Sequence, residues 1–159
     1  MFCRACGFCC RDYTVLLTTV EGVRFSKRFG GVVEPCIRGF IIKKGSDGRC
    51  VFQYYSGQRW LCGIQDIKPQ ACKLWPFMAC RAPTFGRAEE ALYKYADEDL
   101  YVYVDTGCRG ITYAIPSREF ISKIIPEFIE LSLRCRNKQL YSTSRSTLSA
   151  IPSPGIESP

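Results

Sequence analysis

The sequence predicts a small, irregular α+β domain whose parts are tied together by cysteine–metal ligation. Three observations lead there. Eleven cysteines and no histidine stand in 159 residues. Short strand-like runs alternate with turn residues as far as Val104. One longer helical pattern follows, with Phe120, Ile121, Ile124, Ile125, Phe128 and Leu131 on one side. At 47% apolar content the chain suits one domain with a real core. That domain is placed at residues 1–140, with a Ser/Thr/Pro-rich tail at 141–159 that lacks an apolar period and is read as disordered.

Taken in order, residues 1–12 are Cys- and Gly-rich and read as irregular backbone shaped by ligation. Tyr13–Leu17 has strand composition. Thr18 or Thr19 caps a helix running to about Phe29, which Gly30-Gly31 stops. Phe40–Ile42 reads as a strand and Gly45-Ser46-Asp47-Gly48 as a turn. Cys50–Tyr55 and Trp60–Cys62 read as a hairpin around Ser56-Gly57-Gln58, with a cysteine at each base. Pro69 starts a short helix carrying Cys72, and Pro76 ends it. Leu100–Val104 is a further strand, and Tyr93, Tyr95, Tyr101 and Tyr103 alternate as on a half-buried sheet face. Ser117 caps the long helical pattern, which Pro126 kinks or splits because it lacks an N–H and crowds the preceding turn.

The chemistry lies in the cysteines. Cys3-x-x-Cys6 and Cys6-x-x-Cys9 each have metal-knuckle spacing, in which backbone N–H groups point at the sulfurs. A Cys-x2-Cys-x2-Cys run also suits a cubane iron–sulfur cluster. Cys10 directly follows Cys9. Neighbouring side chains point apart, so the two are assigned to different sites, or one is spare. Cys50, Cys62, Cys72 and Cys108, each in a turn or at an element end, are the candidates to complete the ligand set. With no histidine the ligation is all sulfur, which selects zinc, copper(I) or iron–sulfur and argues against calcium, magnesium and a histidine-rich catalytic zinc. An array of disulfides is the bland alternative. Cys36, Cys80 and Cys135 read as inert core thiols, with one disulfide from Cys36 to Cys80 or Cys135 left open.

The formal charge is +7. Eight thiolates on two zinc ions would lower it to about +3. Arg4, Arg11, Arg49, Lys73, Arg81, Arg109, Arg134 and Arg136 each adjoin a cysteine, where a cation stabilises thiolate. Residues 1–60 carry ten Lys/Arg against four acids, whereas 89–105 carry six acids and Lys94 alone. That asymmetry could serve an anionic partner such as RNA, or a protein complex, although no RNA-binding signature is present. No apolar run reaches the ~20 residues of a membrane span, and the opening residues lack a secretory h-region. The expected location is cytoplasmic, and the oligomeric state is open. No glycine-rich nucleotide motif and no nucleophile–base pair is present, so the residues argue for no particular catalysis.

The segment Phe2-Cys3-Arg4-Ala5-Cys6-Gly7-Phe8-Cys9-Cys10-Arg11 resembles the opening of the YkgJ-type cysteine-cluster family of zinc- or iron-chelating domains. Gly48-Arg49-Cys50-Val51-Phe52, Cys62-Gly63-Ile64, Lys68–Phe77 and Cys108-Arg109-Gly110 are similar to its later blocks. Lys68, Lys73, Trp75 and Arg109 depart from the family's Arg, Arg, Phe and Pro. The resemblance spans about residues 2–112 and implies Cys3, Cys6, Cys9, Cys10, Cys50, Cys62, Cys72 and Cys108 as ligands. Cys36, Cys80 and Cys135 fall outside it. Some relatives, flagellin lysine methylases among them, are associated with an iron–sulfur cluster. The three-cysteine opening with remote cysteines favours a [4Fe–4S] cluster over two structural zincs.

Three functions follow as expectations. The first is a metal-stapled interaction or accessory module, which as a zinc protein could associate with RNA or a ribonucleoprotein. The second is an iron–sulfur redox or protein-methylation component. The third is reversible metal handling. Trp75-Pro76-Phe77 reads as apolar packing that shields the centre and orients Cys72.

Overall fold

The computed structural model of the chain describes residues 5–111 and 115–141. Among them lie three small antiparallel sheets and five α-helices, an α+β architecture. The tail at 142–159 lies outside the described residues.

The first layer is a sheet of order β1-β3-β2, from β1 (Leu16–Leu17), β2 (Val33–Cys36) and β3 (Gly39–Ile42). The helix α1 (Phe8–Asp12) precedes it, and α2 (Thr19–Phe29) packs over it. Thr18 caps α2 in a full capping box. Its hydroxyl accepts the Glu21 N–H at 3.3 Å, and the Glu21 carboxylate accepts the Thr18 N–H at 3.0 Å. Gly30, at φ 61°, ends the helix. Gly22 faces Phe40 so closely that any Cβ would collide with the ring, which lets α2 settle on β3. Leu17, Phe25, Ile42 and Ile64 form this core, with Phe29 and Phe52 stacked edge to face beside it.

The second unit is the hairpin β4 (Gln53–Ser56) and β5 (Arg59–Cys62), with Gln53 opposite Cys62. A 3₁₀ turn (Gln65–Ile67) leads to α3 (Gln70–Leu74). The third unit is a sheet of order β6-β8-β7, from β6 (Phe77–Cys80), β7 (Leu92–Tyr95) and β8 (Glu98–Val104), with α4 (Ala88–Ala91) entering β7. Helix α5 (Ile125–Ser132) covers it, burying Ile125, Phe128 and Ile129 against Leu100. Tyr93, Tyr95, Tyr101 and Tyr103 are all half-buried, but not on one face as their alternation implied: Tyr93 lies opposite Leu100 and joins the core with Tyr95, whereas Tyr101 lies opposite Leu92 on the other face of the sheet.

Four further expectations need correction. Residues 8–12 are helical rather than irregular. The first strand shrinks to Leu16–Leu17, which pair with Ile41 and Phe40 of β3. The hairpin strand starts at Gln53, not Cys50, because the Gln53 N–H turns back to the Cys50 carbonyl at 2.9 Å. Only Cys62 therefore sits at the hairpin base. Strand β2 went unread because it contains Pro35, which its edge position tolerates. At the long helix, Ser117 accepts the Phe120 N–H at 3.1 Å. Pro126 then splits the pattern: residues 120–124 form a π-helical turn, with the Ile125 N–H reaching Phe120, and α5 begins with proline in its first turn.

Candidate metal centre

The described candidate ligands lie on five segments, some of them joined by backbone bonds. Gly7 adopts φ 75° at the start of α1, and a Cβ there would lie 2.6 Å from Gln53 Nε2 and 2.7 Å from Trp60 Cγ. Only glycine lets the opening loop lie this close against the hairpin. The Trp60 N–H donates to the Ala5 carbonyl at 3.0 Å and the Cys50 N–H to the Cys10 carbonyl at 2.8 Å. Cys50 and Cys62 pack against the first core, and α3 presents Cys72 beside Leu74, which packs into the second. The Cys108 loop is held from two sides. Arg109 sits over the Phe8 ring at 4.1 Å, and the Asp105 N–H donates to the Pro76 carbonyl at 2.8 Å.

The sulfurs sense one another. The Cys9 and Cys10 sulfurs stand 3.9 Å apart. Successive helical residues diverge by about 100°, not 180°, so the expectation that these side chains point apart does not hold. The pair gives up one proton readily and keeps the second. Hydrogen bonding from Cys10 is the main reason Cys9 drops to about 7, while Cys10 is pushed far up by holding that proton and by burial. Burial raises Cys50, Cys62, Cys72 and Cys108, and neighbouring thiols raise them further. Cys72 feels Cys62, Cys50 and Cys9. Cys108 feels Cys9 and Cys6.

Compensating groups are in place. The backbone N–H groups of Phe52, Ile64 and Gly110, each two residues beyond its cysteine, pull Cys50, Cys62 and Cys108 toward thiolate. This is the N–H-to-sulfur pattern a knuckle provides. Buried Lys68, 6% exposed, favours the thiolates of Cys9, Cys62 and Cys72. Half-buried thiols, N–H donors and a buried cation suit a soft, thiolate-binding metal, and the residues fit such a group.

Cys6, Cys9, Cys10, Cys50, Cys62, Cys72 and Cys108 are half-buried free thiols; Cys3 lies outside the described residues. Among the described residues no three Cys, Asp or Glu side chains are already closed into metal-holding geometry. Cys36 and Cys80 are half-buried and Cys135 is exposed, all free, so Cys135 is not a core thiol.

The cations adjoining cysteines mostly serve elsewhere. Arg11 pairs with Asp12, Arg49 lies 3.7 Å over the Trp60 ring, Lys73 donates to the Asn137 carbonyl, Arg81 pairs with Glu98, and Arg136 binds Glu127 and Glu130. Lys68 favours thiolate from four residues before Cys72, a role that sequence adjacency does not reveal.

Fold and site together define a cysteine-cluster protein with a thiol-lined centre. The chain belongs to the CxxCxxCC family, a candidate zinc- or iron-chelating domain, whose model matches residues 2–109. Comparison with curated proteins and with solved structures returned no match. Among the described residues no helix is long and apolar enough to cross a membrane.

Proposed function

We propose that Cys6, Cys9, Cys10, Cys50, Cys62, Cys72 and Cys108, together with Cys3, hold an all-cysteine metal centre that staples the chain into an interaction or accessory module. One observation carries this reading. Three cysteines from separate segments each receive a backbone N–H two residues on, and their sulfurs also feel the charge of Cys9. The Cys-x2-Cys-x2-Cys opening supports a [4Fe–4S] cluster, which when bound would supply one-electron chemistry. Two structural zincs are the second reading. It draws on the number of thiols: these seven with Cys3 make eight, enough for two four-sulfur sites.

Anaerobic purification, an ultraviolet–visible spectrum and elemental analysis test the proposal. A brown protein with several irons and labile sulfide supports the cluster. A colourless protein with two zincs supports the staple alone, and a stable, metal-free protein refutes both. As a module, the chain presents Tyr54 and Tyr55 on its hairpin, 49% and 60% exposed, in its basic half. That surface favours an anionic partner such as RNA, whose binding would weaken steeply with salt.

A further inference from the structure

We propose that the indole N–H of Trp75 donates a hydrogen bond to the metal-bound sulfur of Cys108, making Trp75 a positioning residue of the centre. The proposal rests on the metal-centre reading above.

Trp75 follows α3, three residues after Cys72. Its Nε1 is buried and has no hydrogen-bond partner among the described residues. A buried donor left unpaired is costly, and each such group calls for an explanation. The ring is fixed in place. Tyr13 packs on it at 4.1 Å between centroids, and the Tyr13 hydroxyl donates to Asp105 at 3.5 Å. Asp105 in turn starts the Cys108 loop. Its N–H reaches the Pro76 carbonyl at 2.8 Å, and its carbonyl accepts the Cys108 N–H at 3.1 Å. The loop thus hangs from Pro76, the residue after Trp75, and the hydroxyl of Tyr13, whose ring packs on the indole, lies against Gly107 just before Cys108. The indole lies close enough to the Cys108 side chain to act on it. A neutral thiol accepts hydrogen bonds weakly, so the contact is incomplete in the thiol form. A metal-bound thiolate is a stronger acceptor, and the N–H is already positioned to serve it. Cys108 then receives two donors, the indole and the Gly110 N–H.

The chain has two tryptophans, Trp60 and Trp75, so its indole N–H signals report on the proposal directly. The reduced full chain is loaded with ¹¹³Cd, and metal per chain is measured alongside the ¹H–¹⁵N spectrum. The Trp75 indole signal, assigned by its loss in Trp75→Phe or its survival in Trp60→Phe, is expected to move downfield, exchange more slowly and show coupling to cadmium. In Cys108→Ser that coupling is expected to vanish. Trp75→Phe should keep the cadmium stoichiometry and weaken its retention about tenfold or more. Full loading with an unmoved, uncoupled Trp75 signal overturns the proposal and leaves the metal centre standing. A chain that takes up no cadmium overturns both.

Discussion

The backbone N–H of Cys50 donates to the carbonyl of Cys10 at 2.8 Å. A bond between the two cysteine-bearing segments, made by neither sulfur, shows that backbone pairing draws these candidate ligands together. The Trp60 to Ala5 bond and the Gln53 side chain on the Gly7 carbonyl, at 3.3 Å, extend the same seam.

That seam requires glycine at position 7. Gly7→Ala adds a methyl group into Gln53 and Trp60 at φ 75°. The strain and the collision together should cost about 2–4 kcal/mol. Chemical denaturation of the metal-loaded protein should show the loss, and metal content should fall with it.

Two substitutions should spare the centre. Thr18→Ala breaks the capping box of α2 and should cost about 1 kcal/mol. Glu127, 3% exposed, accepts the Tyr141 N–H at 2.7 Å and pairs with Arg136, so Glu127→Gln should cost about 1–3 kcal/mol. Both should keep full metal content by elemental analysis, since neither side chain is among those acting on a cysteine.

The overall class and the cysteine spacing were legible because period and knuckle spacing are local. A threonine cap at Thr18 or Thr19, the stop at Gly30, the Cys72 helix and the break at Pro126 were likewise legible from neighbouring residues, whereas the capping box that selects Thr18 was not read. Strand β2 was hidden by Pro35, whose edge position is a tertiary fact. The Cys9–Cys10 approach was hidden because only a helical backbone at residues 8–12 brings those sulfurs within 3.9 Å. Lys68 was visible as a residue, but its burial beside three thiols depends on how α3 packs.

Lys68→Met keeps the volume and removes the charge. Metal affinity, measured by competition with a chelator, should fall about tenfold. Unchanged affinity would mean that the lysine only fills space.

The metal-free reduced chain should depend on pH. Cys50, Cys62, Cys72 and Cys108 are raised, mainly by burial. Their stabilising share is complete below the unfolded thiol value of about 8.5 and is lost as pH rises beyond it. Cys9, lowered to about 7, works the other way, losing its share as pH falls toward that value. With Cys10, raised by its bond to Cys9 and by burial, five groups outweigh one, so the melting temperature should fall between about pH 8 and 10. The metal-loaded protein should stay flat over this window, because its thiolates are already ionised.

X-ray absorption at the metal edge tests the shared centre most directly. Anaerobically purified protein should show a sulfur-only shell of four ligands at about 2.3 Å. In Cys50→Ser or Cys72→Ser that shell should be depleted along with the bound metal. A shell of nitrogen or oxygen, or a wild-type chain that folds with no bound metal, would contradict the account.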